Sequence, residues 1–485
     1  MNWWVLKRKV HSSWLVAWGC MGIFIGVCLA QYIQDPFLSS AYNLIIITLI
    51  VVIVFWRKYI YLIPFLIIAG VFIGLWRGSL MQNELTKFKP FYGKNVSIEG
   101  FIKDDVDIGS SGQAVIRLDN LIIENNKLPG VLWVTSTTDK EIKRGDMLQI
   151  SGKLVEGFGN FSGTIYRANI DKIIHPQPGD IARQVRDWFA DSVRKVIPDP
   201  ESSLGIGFLV GQRRSLPTDL VLALQVAGLT HIVVASGYNL TILVRLARRL
   251  FSKISKYLSA LSSVIMIIGF ITITGASPSM TRAGLVAGFS LAAWYYGRKF
   301  HPIVLLLIAI AVTVLYNPSY AWGDLGWQLS FTAFAGVMIL APLATKYLFG
   351  DKKLNFIQQV LIETTSAFIV TAPILIGAFG QLSNVAIISN LLVLPLVPLA
   401  MLLTFISGIG SLIFPTVADI IALPATWLLK YMVSVAEYLA NLPWAISTIN
   451  LQWWGILICY LLIISACIYM WRVTKFNLRE VNLVE

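Results

Sequence analysis

Apolar stretches approaching 20 residues recur along this chain, and no other feature constrains its fold so tightly. A helix needs roughly 20 such residues to cross hydrocarbon, because every backbone polar group there must be bonded internally. Apolar runs cover about Trp14 to Tyr32, Leu44 to Trp56 and Ile60 to Trp76, and further apolar segments follow from about residue 203 to 471. Several of these are short or carry Gly or Pro inside, which a membrane tolerates where the break faces protein or a water-filled cavity. Only 13% of the 485 residues are charged and 56% are hydrophobic, whereas a soluble domain carries about a quarter charged residues. The pattern predicts a polytopic α-helical membrane protein.

Residues 84–176 break that pattern. Short alternating segments such as VSIEGFIKDD and GTIYRANIDKII are punctuated by Gly, Asn-Asn and Pro-Gly, which predicts about five strands and a small β-barrel. The GDMLQISGKL segment resembles an OB-fold strand pair around a glycine. Such barrels often bind single-stranded nucleic acid through basic grooves and stacked aromatics. Trp133, Phe158 and Tyr166, with Phe161 nearby, are the candidates here, among balanced charges; a purely structural barrel is the equal alternative. Residues 180–197 then form an amphipathic stretch, with Ile181, Val185, Trp188/Phe189 and Val193 opposite Arg183, Arg186 and Lys195, suited to the headgroup plane. The expected plan is membrane segments at 1–83, the OB-like domain at 84–176, an interfacial helix at 177–200, a membrane domain at 201–475 and a tail at 476–485.

Charge placement orients this plan. Lys7, Arg8 and Lys9 precede the first run and Arg57-Lys58 follow the second, which puts the N-terminus in the cytoplasm and, after three crossings, the barrel outside. The net charge is +13. Residues 181–300 hold fourteen Lys/Arg against five Asp/Glu, a cluster that anchors helices at anionic lipid or attracts a polyanion. The cysteines Cys20, Cys28, Cys459 and Cys467 lie inside apolar runs with no metal-ligand spacing, so they read as packing residues. No cofactor, metal site or P-loop is indicated.

Four constellations place polar residues in this apolar setting. GLTHIVVASGYNLTIL (228–243) carries His231, Ser236 and Asn239, with Arg245 and Arg249 beyond it. Either an unbroken helix puts 231, 235 and 239 on one face, or Ser236-Gly237 interrupts it and frees carbonyls. GASPSMTRAGL (275–285) carries Arg282 one turn into a helix that Ser277 can cap; a guanidinium never sheds its proton and needs a carboxylate, carbonyls, water or phosphate. In NPSYAWGDLGWQLSFTAFAG (317–336), Asp324 and Gln328 share a helix face, and Asp324 is either a partner for Arg282 or a helix cap. FGQLSNVAIISNLLVLPLVPL (379–399) carries Gln381, Asn384 and Asn390, amides that glue helices or line a wet path.

In this order the segments resemble the ComEC family of competence proteins. The resemblance rests on Gly228-Leu229, His231 and Ser236-Gly237; Pro278-Ser279 and Arg282-Ala283; Gly326 through Phe331; and Gly380-Gln381, Ser383, Asn390-Leu391 and Pro395. N-terminal spans followed by an OB-like domain match as well. What the resemblance implies is a channel admitting single-stranded DNA across the inner (cytoplasmic) membrane in natural transformation. Its path would involve His231, Ser236, Asn239, Arg245, Arg249, Arg282, Asp324, Gln328, Gln381 and Asn390. Implied partners besides DNA and membrane lipid are a DNA receptor, a cytoplasmic helicase or strand-binding protein, a separate nuclease, and further copies of the chain as a homo-oligomer. Two departures stand out. Many members have histidine where this chain has Asn239, and many carry a metallo-β-lactamase-like domain, whose H-x-H-x-D-H cluster is not present in this sequence. The alternatives from other classes are a membrane-embedded hydrolase or transferase using His231, Ser236 and Asp324, and a small-solute transporter with broken helices.

Overall fold

The computed structural model describes residues 11–33, 50–51, 53, 63–109, 112–124, 126–137, 142–212, 216–233, 236–275, 278–297, 301–352 and 354–478. The chain divides into two compact units, residues 1–177 with 300–328, and residues 178–299 with 329–485. Among the described residues, eight helices are long and apolar enough to cross a membrane: Ser12–Leu29, Ile63–Phe91, Lys256–Thr274, Leu325–Phe349, Phe356–Phe379, Ala386–Ile413, Pro415–Ala440 and Trp453–Thr474. The chain is therefore a polytopic helical protein with a small barrel inserted, as its hydropathy predicts. The second apolar run, Leu44 to Trp56, and both N-terminal basic clusters lie largely or wholly outside the described residues, as does the Ser277 cap.

In the first unit the helices Ser12–Leu29 and Ile63–Leu85 touch backbone to backbone. A Cβ on Gly22 would stand 2.3 Å from the Ile67 carbonyl oxygen, on Gly26 2.1 Å from that of Val71, and on Gly74 2.2 Å from that of Ile23. Only glycine fits at such a crossing. Contacts advance together along both helices, from Gly19 against Leu66 to Ala30 against Gly78, so the two run parallel. A third helix, Pro302–Tyr316, joins them: Arg77 donates from Nε to the Leu315 carbonyl (2.8 Å) and from a terminal nitrogen to that of Tyr316 (2.9 Å). These are the unpaired carbonyls at a helix end, which a basic side chain satisfies.

The barrel strands are β1 (Asn95–Ile102), β2 (Asp107–Ile108), β3 (Ala114–Ile123), β4 (Asn126–Leu128), β5 (Leu132–Ser136), β6 (Met147–Glu156), β7 (Gly163–Ile165) and β8 (Asn169–Ile174). Five of them close a ring in the order β1-β3-β5-β7-β6 and back to β1. All pairings in the ring are antiparallel except β5 with β7. This is the five-stranded Greek-key ring of an OB-fold. Alternation fills it: Ile98, Ile116, Leu118, Leu132, Val134, Leu148, Ile150, Leu154 and Ile165 are all fully buried.

The second unit is built around the helix Glu201–Val210, all ten of whose residues are buried. Helices Val397–Ile413 and Ala418–Ala440 pack on it through Ala400, Met401, Ala425 and Leu429. The amphipathic helix Ile181–Arg194 divides its apolar residues. Phe189 stacks on Phe405 at 5.9 Å, while Ile181, Val185 and Trp188 are 62%, 50% and 58% exposed. Arg186, expected on the polar face, is instead buried and pairs with Asp187 at 3.1 Å. A helix seated on a membrane span buries whatever lies on the seated side, so one apolar stripe does not describe it.

Candidate functional site

The first, second and fourth polar segments, with Phe331 of the third, gather beside a helix break in the second unit. One short helix ends at Val233 and the next begins at Gly237, so of the two arrangements open for residues 228–243 the interruption is realised. Ser236 is extended and caps the new helix: the Asn239 N–H donates to Ser236 Oγ (3.4 Å), and that hydroxyl donates to Asn239 Oδ1 (3.3 Å). Serine is a strong N-cap because its oxygen satisfies an orphan helix N–H. Asn239 has no exposed surface. Its Nδ2 donates to the carbonyls of Phe208 (3.1 Å) and Ile232 (3.3 Å), so it staples the break to the buried Glu201–Val210 helix. His231 is exposed, with Nδ1 at 3.0 Å from the Gly228 carbonyl oxygen.

The fourth segment locks onto the turn before the break. Ser383 Oγ donates to the Val226 carbonyl (2.6 Å) and Ser389 Oγ to that of Ala227. Gly228 has φ +72°, and a Cβ there would lie 2.6 Å from that of Ala386. Both features demand glycine. Asn390 is 5% exposed, and its Oδ1 is buried with no hydrogen-bond donor among the described residues. Gln381 is exposed on a two-strand ladder in which it pairs with Thr448, and Asn384 Nδ2 donates to the Trp444 carbonyl and to Ser447 Oγ, both at 2.7 Å.

The second segment enters beside Gly237, where a Cβ would stand 3.1 Å from Ala283 Cβ. The neighbouring Arg282 is 2% exposed, its guanidinium 5.6 Å above the Phe331 ring of the third segment. Arg245 and Arg249 are exposed further along the Gly237–Phe251 helix. Asp324 belongs to the first unit and has its own partners. Its carboxylate accepts from the Trp327 N–H (2.7 Å), capping the helix Leu325–Ala335, and from Asn160 Nδ2 (3.0 Å). Gln328 lies half-buried one turn further on. The hydrolase alternative asks for His231 to bond Ser236; among the described residues His231 faces Gly228 and Ser236 faces Asn239. Ser383, Ser389 and Phe331 were not read as site residues from the sequence, although each lies inside or beside a quoted motif.

On the barrel, Trp133 of β5 forms an edge-to-face trio with Phe158 and Phe161, at centroid distances of 5.4, 5.0 and 5.3 Å. Arg117 of β3 lies 5.4 Å from the Trp133 ring and bonds Asp107 at 2.7 Å. Phe158 and Tyr166 are both exposed, and Tyr166 stands outside the trio. The 157–162 loop is itself held: Gly159 abuts the backbone of Gly323, and Asn160 bonds Asp324.

Fold and motifs together define a multi-pass membrane protein with an OB-type barrel and a polar helix break in its larger helical unit. The model of the family described as "Competence protein" matches residues 208–473, and the chain belongs to that family, the ComEC group of competence proteins. ComE operon protein 3 of Bacillus subtilis (strain 168) is 24% identical over 214 residues, which cover 43% of this chain and 27% of that protein. No solved structure matches.

Proposed function

We propose that this chain forms the conduit by which one strand of DNA crosses the cytoplasmic membrane in natural transformation. The observation that carries the proposal is the convergence of Ser236, Asn239, Arg282, Phe331 and Asn390 around a single helix break, built from the segments that mark the family. A strand in transit needs cations to attract phosphate and neutral polar groups to release it. Arg282, with Arg245 and Arg249, would supply the first; His231, Ser236, Gln328, Gln381 and Asn390 would supply the second. Residues 201–475 are the channel part on this reading, and 84–176 an extracytoplasmic domain with a cytoplasmic N-terminus. The basic residues Lys7, Arg8, Lys9, Arg57 and Lys58 favour that orientation, because cytoplasmic loops carry the excess of Lys and Arg. The driving force would come from a cytoplasmic helicase or strand-binding protein, with a surface receptor delivering DNA and a separate nuclease removing the other strand.

The test is transformation frequency in cells carrying Arg282→Ala or His231→Ala at the wild-type protein level, beside a deletion of the gene. The expected drop for Arg282→Ala is about tenfold to a hundredfold, the loss of one charge-assisted contact. Unchanged frequency in both variants would remove these residues from the path.

A further inference from the structure

We infer a second contact for single-stranded nucleic acid, away from the helix break: a basic and aromatic face where the ends of helices Gly237–Phe251, Lys256–Thr274 and Pro278–Tyr295 meet. The inference rests on the reading above only in that a strand must reach this protein. The three ends are tied together by named contacts. Ser255 caps the second helix by accepting from the Tyr257 N–H (3.2 Å), and Ser259 Oγ donates back to the Arg248 carbonyl (3.1 Å). The Arg248 guanidinium lies 5.2 Å from the Trp294 ring centre, and Lys256 Nζ lies 5.6 Å from the same ring and 5.5 Å from Tyr295. Arg245, Arg249, Lys253 and Lys256 are exposed around them, and Tyr257 and Tyr296 are 65% and 74% exposed.

Two features favour a polyanionic strand. The first is density. Five basic residues fall in the twelve positions from Arg245 to Lys256, and the chain holds no Asp or Glu between Asp219 and Asp324. The second is preorganisation. A cation lying on a ring face is already positioned, so less side-chain entropy is lost when it meets a phosphate. The exposed tyrosines beside the cations offer rings to unpaired bases, a contact that tolerates any sequence. Anionic lipid headgroups also attract basic residues at helix ends, but they present no flat bases to stack on Tyr257 and Tyr296. Lipid is therefore the competing outcome of the test.

The experiment uses the full chain in nanodiscs of zwitterionic lipid and reads anisotropy of a fluorescent oligothymidylate across a salt series. Arg248→Gln with Lys256→Gln should lower affinity about tenfold at low salt and flatten the log–log salt slope by about 1.4, roughly 0.7 for each cation. Tyr257→Ala with Tyr296→Ala should lower affinity about tenfold with the slope unchanged. Unfolding temperatures matching wild type validate each variant; if the first pair misfolds, the exposed pair Arg249→Gln with Lys253→Gln carries the same expectation. Wild-type affinity and slope in the charge variants would overturn the inference. So would oligonucleotide binding indifferent to both pairs while native mass spectrometry shows that the charge pair sheds bound phosphatidylglycerol. Should transformation need the chain while the face variants bind normally, only this inference fails. Should deletion of the gene leave transformation intact, the uptake reading fails whatever the oligonucleotide does.

Discussion

The barrel and the larger helical unit treat polar residues in opposite ways. Residues 84–176 carry twelve Lys/Arg and twelve Asp/Glu, and the cation best placed beside an aromatic cluster, Arg117, is already bonded to Asp107. In the helical unit, neutral donors are consumed instead. Asn239, Ser383, Ser389 and Asn384 each donate to backbone carbonyls, while the cations of the 245–256 stretch have no acid near them in sequence. A chain in hydrocarbon must satisfy every carbonyl it frees by breaking a helix. Its amides and hydroxyls are therefore largely committed to structure. In the water-exposed barrel the commitment runs the other way.

The largest expected effect tests the structural half of this contrast. Asn239→Leu keeps side-chain volume but strips the Phe208 and Ile232 carbonyls of their donor in a fully buried site. The expected cost is about 2 kcal/mol, from two unpaired groups at the lower values seen within membranes. Asn160→Ala, which removes one hydrogen bond to Asp324, should cost about 1 kcal/mol or less. Thermal unfolding in nanodiscs ranks the two. An Asn239 variant no less stable than the Asn160 variant would break the contrast, and would leave Asn239 free to act on the strand.

How far the sequence reaches follows the same division. The apolar runs and the alternating 84–176 segment were legible because each follows one period, and so was the helix-capping alternative for Asp324. Spacing also admitted a break at Ser236-Gly237. What stayed hidden was which polar group meets which. That Asp324 accepts from Asn160, 164 positions earlier, is announced by nothing local in the sequence. Nothing local in the sequence links Ser389 to the Ala227 carbonyl, 162 positions away. Long-range pairings of this kind are set by how helices pack, and single-segment periodicity carries no record of that.

A smaller effect tests the electrostatic half. Asp107→Asn leaves Arg117 on the Trp133 ring but removes its charged partner. If acids are what hold the barrel face inactive, oligothymidylate affinity of the full chain should rise a few-fold at low salt, with the slope steepening by about 0.7. No change would mean that the aromatic trio is structural, its edges already spent on one another.

The smallest effect, and the sharpest in sign, compares two carboxyls. Asp104, in the β1–β2 loop, is held above the usual carboxylate range, chiefly by burial, with Asp105 and Asp107 adding to it and Arg117 and Lys103 opposing. Asp199, ahead of the Glu201–Val210 helix, is held below that range; burial pushes it up, but hydrogen bonds from the Ser202 and Ser203 hydroxyls and the Ser203 N–H outweigh it. A carboxyl raised on folding contributes stability below its unfolded value, near 3.9, and loses it as pH climbs through the folded value. A lowered one contributes stability above the unfolded value and loses it as pH falls through the folded value. Asp104→Asn should therefore raise the unfolding temperature at pH 7 and change it little near pH 4, whereas Asp199→Asn should lower it at pH 7 and lose its effect in acid. Shifts of one sign in both variants at neutral pH would mean that hydrogen bonds from buried hydroxyls do not set the charge state at the start of this helix. The distinction between a barrel that pairs charge with charge and a helical unit that pairs it with neutral donors would then fail at its most direct test.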